Sequence, residues 1–377
     1  MPRRLQTPEL KMKIAFRVDA SLQMGSGHVM RCLTLANALR DLGAECHFLC
    51  REHLGHMLAQ IQAAGHHTHP LVLAQDSATA QVRQGALAHA AWLGASQLED
   101  AQQSIDVLQS LQPDLLVVDH YALDVCWHRQ LRPLCGRLMM IDDLADRNHD
   151  CDLLLDQTFG RNATDYRELV PANCKVLCGS RFALLRPEFA AQRFNSLARR
   201  ANLPAVKQVL ITMGGVDQAN ATAAVLDALA EFAHTTELQI TVVMGGKAPW
   251  LESVRQQILQ LPLLRVEVLV DRHDMASLMA MADLAIGAAG STAWERCCLG
   301  LPSIMVVLAD NQRAVAAGLQ AAGAAQVIGC VDDIRGQLPG LLAPLLSQPQ
   351  LIKEMSAAAI RITDGLGVQA VIQAIKG

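Results

Sequence analysis

At 377 residues the chain is long enough for two domains of ordinary size. It is 51% hydrophobic, 18% charged and only 3% aromatic, which excludes a disordered chain and argues against modules that hold single-stranded nucleic acid on ring faces. A net charge of −4 gives no general attraction to a phosphate backbone, and no long unbroken apolar run marks a membrane span.

The 11 Cys are odd in number and include no CxxC pair, which fits reduced core thiols and a cytoplasmic location. Residues 1–12 read as an N-terminal extension, basic but without the apolar segment of a signal peptide, with Met12 heading the first strand pattern. Ile14–Asp19 is a strand, the small residues Ala20–Gly27 a turn, and the spacing of Val29, Cys32, Leu33, Ala36 and Leu39 a helix ended near Gly43. A strand over Cys46–Cys50, a helix over Leu54–Ala64 and a long helical stretch over 80–111 follow. Leu115–Val118 and Leu138–Ile141 are continuous apolar runs, as in strands buried on both faces.

Residues 186–206, rich in Arg and Pro, read as a seam. Strand patterns resume at Gln208–Met213, Gln239–Met244, Arg265–Val270, Asp283–Ile286, Ser303–Leu308 and Ala325–Cys330, and two helices close the chain after Leu351. Strands alternating with helices predict an α/β protein of two Rossmann-like parallel-sheet domains, 13–190 and 206–377, joined by a linker over 191–205. Ligands of such sheets bind at the carboxyl ends of the strands, here facing an interdomain cleft.

Four junctions could carry chemistry. Gly25-Ser-Gly27-His28 lies between a strand and a helix, where glycines permit a tight turn and free N–H groups attract an anion. The helix dipole disfavours imidazolium, so His28 suits a general base; a helix-capping His is the plainer reading. Gly290-Ser291-Thr292 with Glu295 offers backbone N–H groups to a diphosphate and a carboxylate to a ribose, or else the Thr292–Glu295 pair is only a capping box. Met213-Gly214-Gly215 opens a strand end to a ligand, with Asp217 a candidate cap of the next helix. Asp310-Asn311-Gln312 either reaches toward the ligand or forms a turn.

Other features read as structural. Asp150-Cys-Asp152 spells D-x-D but abuts an apolar strand run, so strand-edge acids fit better than a metal. His53, His56, His66, His67 and His69 with Cys46 and Cys50 lack paired zinc-ligand spacing, and no metal is expected. Met275–Met281 reads as helix core, and Arg186-Pro187-Glu188 as a linker anchor.

The stretch from Phe16-Arg17-Val-Asp19 through Gly27-His28-Val-Met-Arg-Cys-Leu-Thr-Leu-Ala36 closely resembles the opening of one enzyme family. That family is the UDP-2,4-diacetamido-2,4,6-trideoxy-β-L-altropyranose hydrolases of pseudaminic acid biosynthesis. Val118–Asp124, Ile141–Arg147, Cys151–Gln157, Phe182–Phe189, Met213–Asp217 and Gly290–Glu295 extend the resemblance over residues 13–313. Thr158 and Phe182 depart from it, standing where the family has Asn and often Tyr. The resemblance implies a GT-B fold, hydrolysis of the UDP-sugar by water attack at the anomeric carbon with inversion, and no cofactor. It implies His28 as catalytic base. Gly214, Gly215, Gly290, Ser291, Thr292 and Glu295 would hold UDP, and Arg17, Asp19, Gly27, Asn220, Asn311 and Gln312 the rest of the substrate. The expected partner is the UDP-sugar alone, with no nucleic acid or membrane, on a monomer or weak homo-oligomer. The alternatives are an inverting UDP-sugar glycosyltransferase of the same fold and a protein that binds a nucleotide sugar without turnover.

Overall fold

The computed structural model describes residues 10–73, 87–202, 205–234 and 237–377. The chain divides into two compact units, one of residues up to Leu184 together with Val368–Gly377, the other Leu185–Gly367.

The first unit is built on β1 (Lys13–Val18), β2 (Glu45–Arg51), β3 (His67–Leu71), β4 (Leu115–Asp119), β5 (Arg137–Ile141), β6 (Leu153–Asp156) and β7 (Lys175–Cys178). They form one parallel sheet in the order β3-β2-β1-β4-β5-β6-β7. The crossovers include α1 (Gly27–Arg40), α2 (Leu58–Ala63), α3 (Gln97–Leu111) and α4 (Val125–Leu131). Helices on both faces require strands that are apolar on both faces. Ile14, Phe16 and Val18 therefore enter one core with Cys46, Phe48, Cys50 and Val117, while Ala15, Leu49, Leu116 and Val118 enter the opposite one. All 11 cysteines are free thiols.

Several expectations are corrected here. The helix expected over Leu54–Ala64 shrinks to α2 because Gly55, at φ +89°, turns the chain against Leu22 first. Of the stretch 80–111, residues up to 86 lie outside the described ones, and a left-handed Gly94 breaks the remainder. α3 then starts at Ser96, whose hydroxyl and Glu99 form a reciprocal capping box. β3 and β7 went unread because they are short, and β3 is polar as well; it even holds Pro70, admissible at a sheet edge. The end of the expected extension belongs to the domain, since Leu10 and Met12 pack on its core and Leu10 N–H donates to Leu42.

The second unit carries α5 (Pro187–Ala201), then β8 (Gln208–Thr212), β9 (Gln239–Met244), β10 (Arg265–Val270), β11 (Leu284–Ala288), β12 (Ser303–Val306) and β13 (Ala325–Ile328). These strands form a parallel sheet in the order β10-β9-β8-β11-β12-β13, each within two residues of its expected bounds. Its helices are α6 (Ala221–Leu229), α7 (Leu251–Leu259), α8 (Met275–Met281), α9 (Thr292–Cys298), α10 (Arg313–Ala321), α11 (Ile334–Ser347) and α12 (Pro349–Ala359).

The expected linker over 191–205 is instead largely helix. The arginines of that seam are bound to carbonyls of the second unit: Arg200 donates to Leu299, Ala282 and Met279 at 3.0, 2.7 and 2.7 Å. The last helix, α13 (Gly367–Lys376), leaves the second unit for the first, where Val368, Val371, Ile372 and Ile375 join the core.

Both units are Rossmann-like. In each sheet the strand order reverses once, between β1 and β4 and between β8 and β11, and ligands of open α/β sheets bind outside such switch points. No described helix is long and apolar enough to cross a membrane.

Candidate active site

At the first switch point the turn after β1 closes on itself, Gly25 N–H donating to Ser21 at 2.8 Å with Gly25 at φ +75°. A residue with a Cβ enters that conformation only at a cost. The turn delivers His28 into the first turn of α1, where Nδ1 lies 2.6 Å from Asp119 Oδ1 at the end of β4. Arg31, one turn further along α1, donates from Nε to Asp119 Oδ2 at 2.6 Å and from Nη2 to Oδ1 at 2.7 Å. It also donates from Nη1 to Asp143 Oδ2 at 2.5 Å, and the Tyr121 hydroxyl donates to the same oxygen at 2.9 Å.

The Asp119 side chain is fully buried. Burial alone would raise its carboxyl; the Arg31 guanidinium and His28 outweigh that and hold it well below the ordinary carboxylate range. An ionised carboxylate only accepts, so His28 donates from Nδ1 and the lone pair of the neutral ring sits on Nε2. The pairing fixes both tautomer and ring orientation. Tyr121 stands edge-on to the ring at 4.7 Å, and Trp92 lies 6.4 Å away.

Arg17 and Asp19, expected on the substrate, lie underneath. Arg17 is 0% exposed and Asp19 1%. Arg17 donates from Nε and Nη2 to Asp100 at 3.0 and 2.6 Å and from Nη2 to Asp19 at 2.8 Å. Asp100 also accepts from Arg51 Nη2 at 2.6 Å and from Trp127 Nε1 at 3.0 Å. Asp19 accepts the Arg51 backbone N–H at 2.6 Å. The two residues thus brace the carboxyl ends of β1 and β2, and their place is support, not contact. Asp152 is likewise committed, to Arg132 at 2.6 and 2.7 Å and to Leu138 N–H at 2.8 Å, as a strand-edge acid would be.

At the second switch point, Gly214 sits at φ +87° after β8, with open space where a Cβ would be. Asp217 caps α6, accepting from the Ala221 and Thr222 N–H groups at 2.9 Å each. Asn220 stands at the N-cap of α6 in a left-handed conformation. After β11, Gly290 faces open space with only Gln312 Nε2 nearby. Gln312 in turn accepts the Leu308 N–H at 3.0 Å, and Asn311 lies partly exposed beside it.

The alternative reading of Thr292–Glu295 as a capping box does not hold. Ser291 is the N-cap of α9 and makes no side-chain cap bond, and Thr292 Oγ1 instead faces Arg296 Nη1 at 3.4 Å. Glu295 is therefore unspent on the helix end. Burial pushes its carboxyl up to about 7 against the pull of Arg186, whose Nη2 is 3.8 Å away. Arg296 is fully buried beneath the loop, donating to the Ala288 carbonyl at 2.7 Å.

Residues 208–369 match the model of the glycosyltransferase family 28 C-terminal domain. The chain is related to enzymes that act on UDP-sugars. Over 83% of its length it is 25% identical to the UDP-2,4-diacetamido-2,4,6-trideoxy-β-L-altropyranose hydrolase of Campylobacter jejuni, covering 97% of that protein. It is 24% identical over 80% of its length to an uncharacterised protein of Methanocaldococcus jannaschii, of which the match spans only 57%. The crystal structure of Acinetobacter baumannii MurG superposes with a TM-score of 0.67 at 18% identity, covering 97% of this chain and 99% of that one. This last likeness is one of fold, the GT-B arrangement of two Rossmann-like domains.

Beside these relatives, the residues absent from the sequence reading of the site are Asp119, Arg31, Tyr121 and Asp143. Each was visible as a polar residue abutting an apolar strand or a helix start, but only the fold joins them to His28.

Proposed function

We propose that the chain hydrolyses a UDP-sugar, with UDP-2,4-diacetamido-2,4,6-trideoxy-β-L-altropyranose as substrate, at the anomeric carbon. The observation that carries this reading is the His28–Asp119 pair, a base held in one tautomer at the switch point of a Rossmann-like sheet. His28 Nε2 takes a proton from water as the water oxygen bonds to the anomeric carbon. The bond from that carbon to the diphosphate oxygen breaks on the opposite face and UDP leaves with its electron pair. One displacement inverts the anomeric configuration, by the logic of inverting glycosidases. The family 28 match and the N–H groups around Gly290, Ser291 and Thr292 support UDP on the second unit, with Glu295 accepting from the ribose hydroxyls. Gly214, Gly215, Asn220, Asn311 and Gln312 remain candidates for contacts around the diphosphate and sugar, and Gly27 for contacts beside His28. Trp92, partly exposed near His28, offers apolar surface to a deoxy sugar, which carries fewer hydroxyls than ordinary hexoses.

An inverting glycosyltransferase would share the base and the nucleotide site and differ only in the acceptor; the family 28 match favours keeping it as the second reading. NMR of the sugar product, with no acceptor present, separates the two. Hydrolysis predicts free inverted sugar and stoichiometric UDP, with label from ¹⁸O-water in the sugar. Label in UDP, or no UDP release without an acceptor hydroxyl, overturns the hydrolase reading. Retention of wild-type turnover by His28→Ala would reject the base.

A further inference from the structure

The amino-terminal ends of β2 and β3 gather a cluster that the proposed chemistry leaves unused. The two strands pair in parallel with His47 opposite His67 and Leu49 opposite His69. Alternation along each strand puts Glu45 and His47 on the same face as His67 and His69. The imidazoles of His47 and His67 stack, with centroids 4.6 Å and planes 18° apart. Both Nε2 atoms turn to one carboxylate oxygen: Glu45 Oε1 lies 3.1 Å from His47 and 3.5 Å from His67. The three donor atoms all fall within 4.8 Å of one another.

A tetrahedral zinc ion with bonds of about 2.0–2.1 Å holds its donors roughly 3.4 Å apart. Two edges of the triangle already have nearly that length. His47 supplies the second observation. Its Nε2 is buried and faces Glu45 Oε1 at 3.1 Å, while its Nδ1 sits 3.2 Å from His69 Nε2. A proton on Nδ1 shared with His69 leaves the Nε2 lone pair toward Glu45, which is how a neighbouring acceptor sets the tautomer of a metal-binding histidine. Glu45 and His67 are 48% and 62% exposed, which leaves an open side for an ion and its water.

We propose that Glu45, His47 and His67 form a binding site for a divalent cation of the zinc class, with His69 as its positioning residue. Water completes the coordination. The two-nitrogen, one-oxygen donor set suits zinc, and copper or nickel as competitors, better than calcium or magnesium. The site ties the edge strand β3 to β2 at the end of the sheet away from His28, so its effect is on stability and not on turnover. It is not the set weighed from sequence: Cys46 and Cys50 point into the opposite core, and His66 is hydrogen-bonded to Asn37 at 2.9 Å.

The test uses untagged full-length protein, stripped with chelator and titrated with Zn²⁺ by calorimetry and with Co²⁺ by visible absorption. One ion per chain, a raised Tm and unchanged UDP release are expected. His67→Gln and Glu45→Gln, both at exposed side chains and checked for folding by circular dichroism, should weaken binding at least tenfold. His69→Phe should weaken it by roughly 10–100-fold. Affinity weaker than about 1 mM would leave only an exposed ion-paired cluster and overturn the proposal. So would tight binding that His67→Gln leaves intact, or a Co²⁺ complex with sulfur charge-transfer bands.

Discussion

Asp119→Asn tests the reasoning about the base most directly. The carboxylate accepts three short bonds, one from His28 and two from Arg31, at 2.6, 2.6 and 2.7 Å. An amide keeps one acceptor oxygen and turns its NH₂ toward donors. If the oxygen stays on the guanidinium, the NH₂ meets His28 Nδ1 and demands the opposite tautomer, with the proton on Nε2. The base is then unavailable to water, and the loss should match the usual worth of a positioned general base, roughly 10²–10⁴-fold in kcat, with KM little changed. Stability should fall too, since removing one partner of a buried ion pair costs about 3–5 kcal/mol, here reduced because Arg31 retains Asp143. The assay is UDP release under saturating substrate, beside urea unfolding of both proteins. His28→Ala should lose as much as Asp119→Asn, and the double variant should lose little more, because the two residues act as one unit. Wild-type kcat in a folded Asp119→Asn protein, or losses that multiply in the double variant, would refute the orienting role.

Other outcomes follow from the same geometry. Glu295, pushed up to about 7 by burial, should accept ribose hydroxyls only when ionised, so affinity for a UDP-sugar on His28→Ala protein should fall up to tenfold per pH unit below about 7, and Glu295→Gln should flatten that profile. The sign for folding is the reverse: a raised carboxyl contributes stability below its ordinary range that is lost as pH rises through about 7. Gly290→Val, at a position where a side chain meets open space, should leave Tm unchanged and raise the Kd for UDP at least tenfold by filling the approach of the diphosphate; unchanged affinity by calorimetry would remove Gly290 from the site. Asp100→Asn leaves the buried Arg17 and Arg51 short of their shared carboxylate and should cost about 3–5 kcal/mol in urea unfolding. A loss below 1 kcal/mol would mean that water or Asp19 compensates.

How much of the fold was legible depends on where burial writes itself into composition. The central strands β4, β8 and β11 are apolar through their interiors, because both faces are covered, and each shows in the sequence; β1 shows as well, although the buried Arg17 interrupts its apolar run. The edge strand β3 reads His-Thr-His-Pro-Leu; with less to bury, it has no such signature and is held by its register with β2. The seam misled for a different reason. Arginine usually marks a solvated face, but Arg200 and Arg193 spend their donors on carbonyls at helix ends, an arrangement that only tertiary packing creates. The passage of α13 back to the first unit is equally silent locally: its apolar spacing states that one face is buried, not against which sheet.

The site divides along the same line. His28 and the Gly290–Glu295 loop were legible because strand, glycine turn and helix start are contiguous, so the sequence states their geometry within ten residues. Asp119 is 91 residues from His28, and nothing local couples them. What couples them is topology: with β1 and β4 adjacent and parallel, the residue ending β4 must emerge beside the turn leaving β1. The order β2-β1-β4 can be inferred from right-handed crossovers, and the apolar run of β4 ends abruptly in Asp119-His120-Tyr121. A polar residue at the carboxyl end of a strand flanking the switch point is therefore the best place to seek the partner of a base found on the first helix. The same rule applied to β8 and β11 selects the residues just after Thr212 and Ala288, where the open Gly214 and Gly290 stand and where a carboxylate would repel a diphosphate.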